Sequence, residues 1–147
     1  MATAGMATIA GGVRRLETEW LGEAPATEQD AVRLVEAGLP TDVVERFLHR
    51  GLTRAEVFSL VLPLRTWKHR KSRKEALSPT ESERALRVAR VLAKAEVVLG
   101  EAAAAMSWMR APKRRFQGRT PMQMLGTEPG GRLVEQLLYQ IDDGIFA

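Results

Sequence analysis

The chain has 147 residues, 45% of them hydrophobic and 27% charged, and it contains no cysteine and two histidines. This length and apolar content predict one domain or two small ones with a buried core. The residue types exclude disulfides, thiolate metal sites and a histidine-based metal site, so we expect no cofactor and no bound metal. No apolar run is long enough to span a membrane, and Arg14 and Arg15 follow the small apolar residues of the N-terminus, the wrong order for a secretion signal. We therefore expect a cytoplasmic protein without a membrane partner.

The positive charge of the chain is concentrated in two segments. The formal net charge is only +4. Acidic residues dominate residues 17–45, whereas basic residues dominate residues 65–74 and 110–119. The local charge, rather than the total, attracts a polyanion, so this distribution favours binding to a nucleic acid.

Residues 51–74 predict two short helices separated by a tight turn. Thr53 and Glu56 form an N-terminal capping box, in which each side chain accepts a backbone N–H of the other residue. Pro63 ends that helix, because proline disfavours helical geometry in the preceding residue and lacks an N–H. The chain becomes helical again at Arg65–Thr66. Two short helices across a tight turn, the second one basic, are typical of a helix-turn-helix DNA-binding motif.

The second of these helices has a basic side and an apolar side. Leu64 and Trp67 are three residues apart, so they share a face that packs inward, and most charges then point outward. A solvated basic face on an ordinary helical protein is the alternative interpretation. The predicted DNA-binding residues are Arg65, Thr66, Lys68, His69, Arg70 and Arg73.

Caps, helix breakers and apolar periodicity predict helices through most of the remaining chain, and no stretch alternates as a strand would. These helices are expected over about residues 27–38, 39–51, 80–99, 101–109, 120–125 and 127–144. Ser78 with Glu81 and Thr120 with Gln123 form two further capping boxes, and Thr127 caps the last helix. Phe116 is expected to anchor the basic segment 110–119. One face of the last helix is expected to carry Leu133, Val134, Leu137, Leu138 and Ile141. The predicted fold class is all-α, with an N-terminal helix-turn-helix lobe packed on a C-terminal helical lobe. The predicted domains are a flexible segment 1–26, a DNA-binding domain 27–76 and a C-terminal domain 77–147. We expect residues 1–13 to be a loose terminus. The helix over 80–99 has a wide apolar side, which is a candidate for part of a dimer contact.

Candidate catalytic groups are sparse. His49 lies at a helix C-terminus, where a cation is favoured by the helix dipole, and this explains it better than a role as general base. Asp142 and Asp143 are adjacent, so their side chains diverge by about 100° on a helix and make a poor acid–base pair or metal site. Gly130 and Gly131 do not form a phosphate-binding loop; they are expected to permit close backbone approach to a neighbour. The chain is therefore predicted not to be an enzyme.

Several segments, in order along the chain, resemble one known family, the Xre-type antitoxins of bacterial RES–Xre (Mbc/Par) toxin–antitoxin pairs. The resemblance lies in Leu-Val-Leu-Pro-Leu-Arg-Thr-Trp-Lys-His-Arg (60–70), Leu-Ser-Pro-Thr-Glu-Ser (77–82), Ala-Met-Ser-Trp-Met (105–109), Gly-Arg-Thr-Pro (118–121), Thr-Glu-Pro-Gly-Gly-Arg-Leu-Val-Glu (127–135) and Asp-Asp-Gly-Ile-Phe-Ala (142–147). The chain departs from the family pattern at Trp67, where leucine is usual, at Asp143, where histidine is common, and at Lys113, where asparagine is frequent.

The resemblance implies an all-helical homodimer that acts as a type II antitoxin and is not itself an enzyme. It implies an N-terminal helix-turn-helix that binds operator DNA and represses its own operon. It also implies that the C-terminal domain binds a RES-domain toxin, an enzyme that consumes NAD, and blocks its active site within a toxin–antitoxin complex. The toxin-binding residues would be at the chain end: Asp142, Asp143, Gly144, Ile145, Phe146 and Ala147.

Two features of that end support the implied role. Phe146 follows the last helix terminator, Gly144, so an apolar side chain remains to be buried on a partner or back on its own domain. The C-terminal carboxylate beside two aspartates makes an acidic tip that could mimic a phosphate. The alternatives are a helix-turn-helix transcriptional regulator without a toxin partner, and a protein-binding module that no longer binds DNA.

Overall fold

The computed structural model describes residues 2–144, with side chains from residue 10 onward. Within this range the chain is all-α, as predicted, and no described residue lies in a strand. The helices are α1 (Ala2–Leu21), α2 (Glu28–Ala37), α3 (Val43–His49), α4 (Arg54–Leu60), α5 (Leu64–Ser72), α6 (Pro79–Leu99), α7 (Ala102–Met109), α8 (Pro121–Met124) and α9 (Glu128–Asp142), with a single 3-10 turn at Arg114–Phe116.

The N-terminal segment differs from the loose terminus expected over residues 1–13. A helix begins at Ala2 and continues to Leu21. Val13, Leu16 and Trp20 are buried on it, at helical spacings of three and four residues. The small residues and glycines that make up most of the segment before Val13 weaken this periodicity in the sequence.

The chain divides into two compact units. The first unit is Glu17–Ala89, and the second consists of the described residues up to Leu16 together with those from Arg90 onward. Both α1 and α6 therefore contribute residues to both units.

The first unit has its own aromatic and aliphatic core. The rings of Trp20 and Phe47 meet edge to face, with centroids 5.4 Å apart. Gly38 has a φ of +88°, and a Cβ there would lie 2.3 Å from the carbonyl oxygen of Leu77. The Leu77 N–H donates to the carbonyl of Leu39 at 2.8 Å. The segment that follows α2 therefore packs against the segment that precedes α6. Only glycine fits at residue 38, where the two backbones come closest.

The second unit contains the start of α1, the end of α6 and helices α7 to α9. Val13 and Leu16 pack against Ala93. The N-terminus of α9 lies close to the end of α8, since a Cβ at Gly130 would be 2.0 Å from the Met124 carbonyl oxygen. The expected close backbone approach at this glycine is confirmed.

The wide apolar side of α6 is covered within the chain. Its apolar side chains are at most 5% exposed at Ala85, Leu86, Val88, Ala89, Val91, Leu92, Ala93 and Ala95. Val98 and Leu99, near the end of the same side, are half-buried. The dimer contact on this side therefore stays a prediction.

Candidate nucleic-acid interface and toxin-binding end

Helices α4 and α5 form the predicted helix, turn and helix. The capping box at the start of α4 is present: the Glu56 N–H donates to the Thr53 hydroxyl at 3.1 Å, and the Thr53 N–H donates to the Glu56 carboxylate at 2.8 Å. Helix α4 ends at Leu60 and α5 begins at Leu64, with Pro63 at its N-cap. The turn is anchored by Val61 and Leu62, each 1% exposed.

The inner face of α5 is centred on Trp67. The ring centroid of Trp67 lies 5.7 Å from that of Phe58 on α4. The Trp67 Nε1–H donates to the backbone carbonyl of Thr41 at 3.0 Å. Leu64 is half-buried beside it. The inward face predicted from the three-residue spacing is confirmed, and a tryptophan at this position gains a hydrogen bond that leucine could not make.

The outer face of α5, as we call it, consists of exposed polar residues at helical spacing: Arg65, Lys68, His69, Ser72 and Arg73. Among the described residues, the side chains of Arg65, Lys68 and His69 have no hydrogen-bonding or ion-pair partner. Arg73 has a loose contact, 3.8 Å, with Glu75. Thr66 is half-buried near the start of the helix. Most of the predicted DNA-binding residues therefore share one accessible surface.

Arg70 and Lys71 are placed differently, because both are paired within the first unit. The Lys71 ammonium is 2.5 Å from the Glu45 carboxylate and 4.6 Å from the Trp67 ring centroid. Arg70 donates from Nε and Nη2 to the two carboxylate oxygens of Glu81, at 2.6 and 3.1 Å. The Arg70 guanidinium is thus held against α6 instead of projecting with the outer face.

Glu81 is a buried carboxylate, 8% exposed, at the start of α6. It also accepts the Ser78 N–H at 2.9 Å, and its own N–H donates to the Ser78 hydroxyl at 3.1 Å, which confirms the second predicted capping box. Burial raises the pKa of Glu81, but the hydrogen bonds from Arg70 and Ser78 outweigh it and hold that pKa below its ordinary value. The hydrogen bond to Glu81 likewise raises the pKa of Arg70.

The predicted toxin-binding end is described only in part. Asp142 ends α9 and Asp143 is its C-cap; both are exposed, and within the described residues neither carboxylate has a partner. Negative charge at a helix C-terminus is unfavourable for the helix dipole. Gly144 is exposed with a φ of +76°, the terminator geometry expected for it. Ile145, Phe146 and Ala147 lie outside the described residues.

A basic segment, residues 110–119, lies near this end. Its one buried side chain is Phe116, as predicted. Lys113 lies over the Trp108 ring at 4.7 Å, and burial lowers the pKa of Lys113. Arg115 donates to the Gln140 side chain on α9 at 2.5 Å. A partner that contacts the end of α9 would therefore meet both acidic and basic groups.

Two large side chains of α9 are exposed, and the sequence pattern did not predict this. Leu133, assigned from its spacing to the buried face, is 47% exposed, and Tyr139 is 44% exposed. The buried face is formed instead by Val134, Leu137 and Leu138. Leu133 lies in the second turn of α9. Helical spacing alone cannot say how far the neighbouring elements extend over that turn.

The described residues contain no cluster of three or more histidine, aspartate or glutamate side chains that could hold a metal ion. Among the described helices, none combines the length and the apolar character that crossing a bilayer requires.

Comparison with known proteins identifies the family. Residues 30–90 match the antitoxin Xre-like helix-turn-helix domain, and residues 94–144 match the antitoxin Xre/MbcA/ParS C-terminal toxin-binding domain. An antitoxin Xre of Pseudomonas putida is 43% identical over 99 residues, which cover 67% of this chain and 62% of that protein. An antitoxin Xre of Yersinia enterocolitica is 28% identical over 116 residues, covering 77% of this chain and 78% of the relative. One of Photorhabdus laumondii is 29% identical over 115 residues, with coverages of 76% and 78%. The match thus spans less than two thirds of the Pseudomonas relative. The chain belongs to the Xre-type antitoxin family, with a helix-turn-helix domain followed by a C-terminal toxin-binding domain.

Proposed function

We propose that this protein is the antitoxin of a type II toxin–antitoxin system and is not itself an enzyme. Its first unit binds operator DNA, and its C-terminal domain binds and neutralises a toxin. The observation that carries the DNA-binding half is the outer face of α5, where Arg65 and Lys68 are exposed and have no hydrogen-bonding or ion-pair partner among the described residues. A cation that the protein leaves unpaired is available to a phosphate. We keep the predicted domain boundary, with the DNA-binding domain at 27–76 and the C-terminal domain at 77–147, as part of this proposal. The family match over residues 30–90 favours a DNA-binding domain that extends into α6.

The toxin is proposed to be a RES-domain enzyme that consumes NAD, and the chain end at residues 142–147 is proposed to block its active site. The carboxylates of Asp142 and Asp143, which have no partner within the part of the chain that the structure describes, support this part of the proposal. A pocket that binds an anionic dinucleotide is expected to be basic, so an acidic tip is electrostatically suited to it. The resemblance of the last six residues to the family's usual ending supports the same assignment.

The toxin-binding proposal is tested with the product of the adjacent gene. We expect that product to arrest growth when expressed alone, and co-expression of this chain to restore growth. The two proteins should co-purify, and cellular NAD should fall only when the toxin is expressed alone. A harmless neighbour that does not co-purify would favour a transcriptional regulator without a toxin partner.

The DNA-binding proposal is tested with the DNA upstream of the operon. A homodimer would place two copies of α5 in successive major grooves, so the protected site should be an inverted repeat with half-sites about one helical turn apart. Footprinting, together with sedimentation of the free protein, measures both expectations. Repression of a reporter fused to the same promoter tests autoregulation. A protein that does not bind this DNA at any salt concentration would contradict the proposal.

A further inference from the structure

We propose that Arg70 is a positioning residue, which Glu81 holds so that α5 keeps the orientation needed to read a specific DNA sequence. This inference rests on the proposed DNA binding. It removes Arg70 from the set of direct DNA contacts and adds Glu81, an acidic residue, to the groups on which operator recognition depends.

The first argument is the geometry of the pair. Two nitrogen atoms of Arg70 face the two carboxylate oxygens of Glu81, at 2.6 and 3.1 Å, and a third nitrogen lies 3.4 Å from Glu75. A two-pronged ion pair fixes direction as well as distance, because the planar guanidinium matches the carboxylate. The contact joins the last turn of α5 to the first turn of α6.

The second argument is that Glu81 is itself fixed. One of its oxygens closes the capping box with Ser78, so the same carboxylate holds the start of α6 and the end of α5. The adjacent Ser82 hydroxyl is fully buried and accepts the Leu39 N–H at 2.8 Å. The start of α6 is therefore tied to the core of the first unit, and Arg70 connects α5 to that anchored point.

The third argument is that α5 has little other anchorage. No residue of α5 is fully buried. Apart from the half-buried Leu64, Thr66 and Trp67, the helix is held by polar contacts: the hydrogen bond of Trp67 to Thr41, and the ion pairs of Lys71 and Arg70. Reading base edges requires side chains placed to within a fraction of an ångström, so loss of one of these attachments should affect specific binding first.

The DNA affinity of the variant Glu81→Gln distinguishes this proposal from an effect of net charge alone. Removing a carboxylate raises the positive charge of the protein, which should strengthen attraction to any DNA. If Glu81 positions α5 through Arg70, its loss should instead weaken binding to the operator. The two expectations differ in sign for Glu81→Gln.

The experiment compares full-length wild type, Arg70→Lys, Arg70→Ala and Glu81→Gln, with Arg65→Ala as a candidate direct contact. Binding to the operon's upstream DNA and to an unrelated duplex of equal length is measured by fluorescence anisotropy at several salt concentrations. We expect Arg70→Ala, Arg70→Lys and Glu81→Gln to weaken operator binding by at least about tenfold. Their slopes of log affinity against log salt should equal that of wild type, whereas Arg65→Ala should lower the slope by about 0.9.

Two results would overturn the inference. One is a loss of slope in Arg70→Ala equal to that in Arg65→Ala, which would make Arg70 a phosphate contact. The other is operator affinity that is unchanged or stronger in Glu81→Gln. Affinity for the unrelated duplex and the far-ultraviolet circular dichroism spectrum show that each variant is folded, and the charge-conserving Arg70→Lys keeps the test valid if Arg70→Ala unfolds. Wild-type protein without salt-dependent DNA binding would overturn the proposed function itself.

Discussion

At the scale of single residues, α5 contains four consecutive basic side chains that divide into two pairs: Lys68 and His69, and Arg70 and Lys71. Lys68 and His69 are exposed and have no partner in the described range, whereas Arg70 and Lys71 are bound to Glu81 and Glu45. Helical periodicity assigned the apolar side chains of α5 correctly. It could not assign Arg70, because its carboxylate partner lies eleven residues away on another helix.

The accessible cations of α5 should act as phosphate contacts. Arg65→Ala and Lys68→Ala should each weaken binding to all DNA sequences alike, because a phosphate contact carries no base information. Each substitution should lower the salt slope by about 0.9. Anisotropy titrations from low to physiological salt measure the slope. Arg132→Ala on α9 is the matched control, since it removes an exposed arginine of the second unit, and its slope should equal that of wild type. Equal slopes in all four proteins would contradict the assignment of the outer face.

The buried Glu81 makes a specific contribution to stability in acid. Its pKa is lowered in the folded protein from an ordinary value of 4.5. A carboxylate with a depressed folded pKa stabilises the fold fully above its unfolded pKa and loses that contribution as pH falls through the folded value. Urea unfolding of wild type and Glu81→Gln should be compared between about pH 6 and pH 3, a range that includes the ordinary pKa of a glutamate. The difference between their free energies of unfolding should shrink as the pH falls below that ordinary pKa. A difference that stays constant over this range would contradict the assignment.

At the scale of helices, local chemistry was sufficient to predict most boundaries. The capping boxes at Thr53 and Thr120, and the cap at Thr127, are all present, because each depends only on residues three positions apart. Long-range packing decided the rest. Helix α1 was not predicted, and Leu133 was assigned to the buried face of α9 although it is exposed. These errors concern which face meets which neighbour, and one sequence does not record that.

The approach of α9 to α8 gives a prediction about two helical glycines. Gly130→Ala places a Cβ 2.0 Å from the Met124 carbonyl oxygen, so α9 must shift and the protein should lose about 1–3 kcal/mol of stability. Gly11→Ala is the matched control, because its Cβ meets nothing within 4 Å in the interior of α1. It should stabilise the protein by about 0.5–1 kcal/mol, since alanine loses less backbone entropy than glycine. Urea denaturation measures both; a stabilising Gly130→Ala would show that the contact can relax.

At the scale of the whole molecule, a chain that divides into two compact units can carry two activities. The predicted DNA-contacting residues lie in Glu17–Ala89, whereas the described residues of the predicted toxin-binding end lie in the second unit. A surface change in one unit leaves the buried side chains of the other untouched, so the two activities should be separable by substitution without unfolding the protein.

The separation is tested with two variants of the full chain. A truncation after Gly144 removes Ile145, Phe146 and Ala147, and the double variant Arg65→Ala/Lys68→Ala removes two cations of α5. The truncation should lose most of its neutralisation of the toxin, because an anchoring phenylalanine can contribute about 2 kcal/mol or more to a contact, while its operator affinity stays at the wild-type value. The double variant should show the reverse pattern.

Growth of toxin-expressing cells and anisotropy on operator DNA measure the two activities in parallel. Full neutralisation by the truncated protein would mean that the chain end does not block the toxin, and the contact would then have to be sought elsewhere on the C-terminal domain, first at the exposed Leu133 and Tyr139. Loss of both activities in both variants would instead show that toxin and DNA binding depend on each other. In that case α1 and α6, the helices that contribute residues to both units, are the elements through which such coupling would act.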